Sequence, residues 1–426
     1  MRCARRSASL VLLVLASCAR PRSGAPRPGS DQVGGSAIRV ALAHGVAAAD
    51  FGATGSWMLL DDRRRLLARA AAGDVWRIER NGKQVRAIRS GERTGWIEGP
   101  IYAVMSADAF GIFGDRKYRG ELMAFASGQG ITVVNRIRID DYLLGVVALE
   151  MGGRAAAESA AVQAQAVTAR SYAFVHLDPR DARGFDVTAS PMTDQAYAGV
   201  DAETAVTSHA VQSTRGLVLQ YGGRVVNAPY SAVCGGETAA QSEIWRTDDV
   251  PYLKRVSDRI PGTDRYYCDI APRFRWTRTF DESELVSDVA RYLASYATVP
   301  GGNPGRPRAV VVGSTTPSRR AATLIVTTDR GDFTVRGNDI RYVLRDPSGA
   351  ILSSTYFSID SSTQRDGHLT RLILRGGGNG HGVGMCQWGA IGRARAGQSF
   401  RAIRPRVDFL RRIGGGMSSF PFCRRA

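Results

Sequence analysis

The chain has 426 residues, enough for one large domain or for two to three smaller ones, each burying its own core. Its formal net charge of +18 favours anionic partners such as nucleic acid, anionic lipid or acidic polymers. The charge is spread along the chain, not gathered in a basic tail, and arginine heavily outnumbers lysine.

At the N-terminus, Arg2, Arg5 and Arg6 precede a run from Ala8 to Ala16 that is apolar except for Ser9. That is the layout of a secretory signal, too short to span a bilayer. Leu15-Ala16-Ser17-Cys18 resembles a bacterial lipobox, in which the cysteine takes a diacylglycerol and becomes the new N-terminus. Residues 1–17 are therefore expected to be removed, leaving +15, and Cys18 to carry the lipid. Ala19, in place of Asp, follows the cysteine, which by the usual bacterial sorting rule implies a periplasmic protein anchored to the outer membrane. Export argues against nucleic acid as partner and leaves an acidic wall polymer.

From 18 to 36 the chain is rich in Pro, Gly, Ser and Arg with almost no large apolar residues, and it reads as a flexible tether. Ile38 to Leu42 then alternates as a strand should. Up to about Arg138, short apolar runs (Val75 to Arg80 before Asn81-Gly82, Val85 to Ile88, Ile131 to Val134) predict a β-rich module, 37–138, that supports a site without carrying chemistry.

The texture changes at Asp140. Residues 140–151 run from two aspartates through apolar residues to Glu150 and Met151. Ala155 to Leu177 follows without Gly or Pro and predicts a long alanine-rich helix, with Ala161, Ala164, Gln165, Thr168 and Tyr172 on one stripe. Such a helix permits close packing, with Gln163, Gln165, Arg170 and Tyr172 projecting from it. Farther on, a helix is expected from Glu282 to Tyr296, a Pro/Gly loop from Pro300 to Pro307, and strands over Ala309–Val312 and Leu324–Thr328. After Gly414 the tail looks weakly ordered.

Four blocks in order resemble the SpoIID family, the stage II sporulation protein D and amidase-enhancer group. The first joins Tyr142–Met151 to Gln163–Ala173, and the second is Asp194-Gln195-Ala196-Tyr197-Ala198-Gly199. The third is Tyr230–Thr238 with Cys234-Gly235-Gly236, and the fourth is Gly380–Ala390, containing His381 and Gln387. Together they span roughly Ile38 to Gly397. The resemblance implies an α+β class: a SpoIID-like mixed fold with the β-rich N-terminal module, a core over 139–413, and the alanine-rich helix beside an active-site groove.

The resemblance further implies lytic transglycosylase activity on peptidoglycan strands, especially those stripped of stem peptides. Glu150 stands where the family has its catalytic acid. A lone carboxylate suits that reaction, because the muramic acid 6-hydroxyl replaces water as nucleophile and one glutamate serves as acid, then base. Val146, Val147, Leu149 and Met151 offer apolar surroundings that would raise its pKa. As substrate-binding residues the resemblance points to Gln165, Arg170, Tyr172, Gln195, Tyr197, His381 and Gln387, with Arg170 suited to the lactyl carboxylate. Gln163 replaces a lysine of many relatives. A non-catalytic modulator of a cell-wall amidase is the alternative, and such an amidase a further partner.

Some members bind zinc near the Cys-Gly-Gly turn through one histidine and two cysteines. Here Ser231 takes the place of that histidine and no second cysteine follows Cys234 closely, so no cofactor is expected and zinc stays an open alternative. Cys234 with Cys268 is expected to form an envelope disulfide, while Cys386 and Cys423 are a second pair or free thiols.

Overall fold

The structure, a computed structural model, describes residues 36–403, apart from 129 and 179, together with 408–410. The expected signal, Cys18, the tether up to residue 35, Cys423 and the tail after Gly414 lie outside the described residues.

The fold is α+β. Between Ala37 and Arg138 the alternating runs become strands because turn residues cut them at short intervals. Trp76–Asn81 and Gln84–Arg89 pair antiparallel across a two-residue turn in which Gly82 takes φ 59°. One seven-stranded sheet runs in the order Val187–Thr188, Ala37–Val46, Gly130–Arg138, Glu121–Ser127, Ile101–Met105, Trp57–Leu60, Leu66–Ala70. A second sheet holds Ala49–Ala53, Trp76–Asn81 and Gln84–Arg89 among its strands. Ile38 and Val40 of one strand and Ile131 and Val133 of its partner point into a core that they share with Leu143, Val146 and Val147. The β-rich part and the helices after it are therefore built on one apolar cluster.

The helices of nine residues or more among the described residues are α1 (Ile139–Met151), α2 (Ser159–Val175), α3 (Ala205–Ser213), α4 (Glu282–Tyr296) and α5 (Gln387–Arg395). Gly130–Arg138 runs straight into α1, whose first turn carries Asp140 and Asp141, the charge sign that a helix N-terminus favours. The long helix expected from Ala155 begins only at Ser159, after a 3₁₀ turn over Ala156–Glu158. Glu158 turns inward there, buried and ion-paired with Arg395 at 2.6 Å, which breaks the helix start. α2 packs against α1, α3 and α5, and its alanines are what let three neighbours approach at once.

A second apolar core lies farther along the chain. The sheet of Arg275–Asp281, His368–Gly377 and Phe357–Arg365 and the sheet of Pro307–Thr315, Ala321–Thr328 and Gly331–Arg336 close with α4 over Phe280, Leu285, Leu324 and Leu372. α4 starts on a capping box between Asp281 and Glu284. His368–Gly377 delivers the glycine-rich turn back to the first core. There Tyr230–Ser231 and Met385–Cys386 pair in parallel, Tyr230 opposite Met385, so the third and fourth blocks meet beside α5.

Candidate active site

Glu150 is the next-to-last residue of α1 and is half-buried. The Ala196 N–H donates to its Oε1 at 3.0 Å and Gln387 Nε2 donates to its Oε2 at 3.2 Å, while the Tyr230 hydroxyl faces it as a third polar group that favours the charged form. Burial pushes the carboxyl above its ordinary range; the three groups, which favour the charged form, pull it partly back. The carbonyls that end α1 also disfavour a negative charge at this place.

The donors are themselves aligned. Gln195 takes a bond from the Tyr142 hydroxyl at 3.3 Å and gives one to the Tyr230 oxygen at 3.1 Å, which leaves the Tyr230 proton free to turn toward Glu150. Gln387 Nε2 also lies 3.5 Å from Gln165 Oε1. Each of the four blocks thus contributes to one carboxylate: Glu150 and Gln165 from the first, Gln195 and Ala196 from the second, Tyr230 from the third, Gln387 from the fourth. Among the described residues no second carboxylate is bonded to Glu150.

The structure corrects several ligand-facing expectations. Arg170 is fully buried; its Nε donates to Asp140 Oδ1 at 2.7 Å, and its other nitrogens donate to the carbonyls of Leu217 and Val211. It is spent on joining α1, α2 and α3 and has no path to a lactyl group. Tyr197 is buried with its hydroxyl on Asn135 Oδ1 at 2.7 Å. Gln165 and Gln195 are likewise buried and act on the neighbours of Glu150, not on a sugar. Tyr172 donates to Asp194 at 3.0 Å and stacks on His176, steadying the loop that presents Ala196.

His381 donates from Nε2 to the Tyr230 carbonyl at 2.8 Å and accepts from the Val383 N–H at Nδ1. Burial lowers its pKa to about 4, so the imidazole is neutral and holds the Tyr230 backbone. Its ring centroid lies 5.0 Å from that of Trp245. Beyond it opens a cavity of about 400 Å³, lined among others by Trp245, Arg246, Asp249 and Arg336.

The role of Arg170 can be measured. Asp140→Ala leaves a buried guanidinium without its anion, which costs about 3–5 kcal/mol. Urea unfolding should show a loss of that size. A loss below about 1 kcal/mol with weakened glycan binding would return Arg170 to the ligand side.

The expected disulfide is also corrected: Cys234 and Cys268 are free thiols with their sulfurs 3.6 Å apart. A third thiol, Cys386, and the carboxylate of Asp258 converge on the same point, so two sulfurs alone do not define the cluster. Sequence reasoning missed Tyr230, the Ala196 N–H and Asp258. Tyr230 heads the third block, but nothing in its neighbours says that its hydroxyl reaches α1; Asp258 sits in no motif.

A family model described as stage II sporulation protein, SpoIID, matches residues 127–221, and one described as a domain of unknown function, DUF8618, matches 263–384. The chain is 32% identical over 288 residues to an uncharacterized protein of Brachyspira hyodysenteriae, covering 67% of this chain and 69% of that protein. It is 28% identical to the stage II sporulation protein D of Bacillus subtilis, covering 62% of this chain and 71% of the relative. To the amidase enhancer of Bacillus subtilis it is also 28% identical, covering 61% of this chain but 38% of the relative.

Proposed function

We propose, from the premise that the chain belongs to the SpoIID family, that it acts on the bacterial cell wall as a lytic transglycosylase in which Glu150 is both acid and base. The supporting observation is a half-buried carboxyl, raised in pKa by desolvation and held by the Ala196 and Gln387 donors, with no second carboxylate bonded to it among the described residues. A hydrolase needs a second carboxylate to activate water or attack the sugar. Here the protonated Glu150 gives its proton to the glycosidic oxygen as the bond from the muramic acid C1 breaks. The same sugar's 6-hydroxyl oxygen then bonds to C1 and its proton passes to Glu150, so the acid is restored and a 1,6-anhydro end is left. Strands without stem peptides are the expected substrate. Trp245, Arg246 and Arg336 offer an aromatic face and cations to an acidic glycan beyond His381. In this reading Cys18 carries the lipid that holds the enzyme in the periplasm at the outer membrane, beside its polymer.

The test is direct. Purified protein incubated with denuded strands should yield fragments with anhydro-muramic ends, lighter by one water than hydrolysis products in mass spectrometry. If the folded protein yields none, the enzyme reading is lost. The similarity to an amidase enhancer then supports the second reading, a glycan-binding modulator that accelerates a partner amidase.

Activity needs Glu150 protonated before attack, so the rate should fall as pH rises through its raised pKa. Tyr230→Phe removes a donor that favours the charged form and raises that pKa further. The alkaline limb of the pH–rate profile should therefore move to higher pH. A shift to lower pH would contradict a hydroxyl that donates to the carboxylate.

A further inference from the structure

The muramic acid that reacts at Glu150 carries a second group for the protein to meet. Its C3 ether bears a lactyl arm, which ends in an ionised carboxylate on strands without stem peptides and in a neutral amide where a peptide is attached. C3 belongs to the same ring as C1, so whatever reads that arm stands close to the end of α1. We propose that Arg154 is the receptor for the free lactyl carboxylate and sets the preference for denuded strands, an inference that rests on the reading of Glu150 as the group that meets this sugar.

The way α1 ends puts Arg154 there. Gly152 closes the helix with its N–H on the Ala148 carbonyl and, at φ 66°, turns the backbone aside directly after Met151. Arg154 then folds back, and its Nε donates to the Met151 carbonyl, one of those left open at the C-terminus of α1, where a cation is favoured. Its guanidinium carbon lies 5.1 Å from the ring centroid of Trp388. Trp388 directly follows Gln387, whose Nε2 donates to Glu150 Oε2. Arg154 is thereby fixed to the two segments that hold the Glu150 carboxyl, the end of α1 and the start of α5.

The outer nitrogens of Arg154 remain available. Glu158 is buried, and its Oε1 takes both Nε and Nη2 of Arg395, at 2.8 and 2.6 Å. Arg154 Nη1 stands 3.9 Å from Glu158 Oε2, beyond hydrogen-bond length, and among the described residues its Nη2 has no hydrogen-bond partner. Two guanidiniums around one carboxylate leave a surplus positive charge, and the Arg154 side chain keeps 18% of its surface open to solvent. The edge of the fork formed by Nη1 and Nη2 can therefore take a carboxylate with both of its oxygens. Other arginines lack this capacity. Arg170 is enclosed, Arg393 is paired with Asp258 and lies over Tyr267, and Arg246, beyond His381, is paired with Asp339. A lactyl amide brings no charge to Arg154 and one oxygen in place of two.

The experiment measures binding, with turnover silenced by Glu150→Gln. Muramic acid oligosaccharides of defined length are compared in two forms, with the lactyl carboxylates free and with the same carboxylates converted to methylamides. The Glu150→Gln chain should bind the acid form about 10–100-fold more tightly than the amide at low salt. Adding Arg154→Gln should bring that ratio close to one by weakening the acid form alone, whereas a merely structural loss would weaken both forms equally. Arg154→Lys, which keeps the charge but not the fork, should fall between. No preference in the parent, an unchanged ratio in Arg154→Gln, or equal weakening of both forms would overturn the proposal. If Arg154→Gln does not fold, Arg154→Lys decides, and a ratio equal to the parent's overturns the contact. Binding is read without cleavage, so the two readings fail separately. An acid preference that Arg154→Gln removes, in a protein whose wild type makes no anhydro ends, keeps the receptor and loses the transglycosylase; anhydro ends with a ratio indifferent to Arg154 do the reverse.

Discussion

Glu150→Gln should abolish formation of anhydro-muramic ends while leaving a protein at least as stable as the wild type. The amide keeps the shape of the carboxyl but cannot give a proton to the leaving oxygen or take one from the 6-hydroxyl. Loss of general acid–base catalysis costs about 10²–10⁴-fold. With one residue performing both steps and, among the described residues, no second carboxylate bonded to it, the upper part of that range is expected. Stability follows from the sign of the pKa shift. Glu150 is raised in the folded state, so its contribution to stability is complete below its unfolded pKa and is lost as pH rises through the folded value. Glutamine carries no charge to desolvate, so above that value the variant should melt higher than the wild type. Residual cleavage above about a tenth of wild type would remove Glu150 from the acid role. A variant that unfolds more easily at pH 8 would contradict the desolvated carboxyl.

Gly384→Ala should unfold the site without touching any side chain in it. Gly384 has φ 77°, and a Cβ there would lie 2.0 Å from the Pro229 carbonyl oxygen. That oxygen also accepts the Met385 N–H at 3.1 Å, so it cannot swing away without losing the strand contact. Left-handed backbone costs about 1–2 kcal/mol for a residue with a Cβ, and forced overpacking about 1–3 kcal/mol more. A loss of about 3 kcal/mol or more in denaturant unfolding is expected. Because Met385–Cys386 would slip from Tyr230–Ser231, Gln387 should leave Glu150 and activity should fall with stability. A change within 1 kcal/mol would show that this register is not what holds the two blocks.

Local pattern by itself determined much of this protein. Alternation and turn residues placed the strands from Ile38 to Val134, and the run free of Gly and Pro placed α2 to within a few residues. The ordered blocks singled out Glu150 and named the family. These readings depend on neighbours in the chain, where periodicity and turn chemistry are sufficient.

Only the tertiary structure decided what each polar side chain serves. The stripe on α2 gives one face of a helix, but α2 is enclosed by three others, so Arg170 and Gln165 are buried where substrate-binding roles were expected. Tyr230 reaches Glu150 because its strand pairs with a segment more than 150 residues away, and that pairing has no local signal. The cysteines show the same limit: spacing along the chain suggested a two-sulfur bridge, whereas folding brings a third sulfur and a carboxylate to it. Contacts of this range are set by how the two cores close on each other, which no window of residues contains.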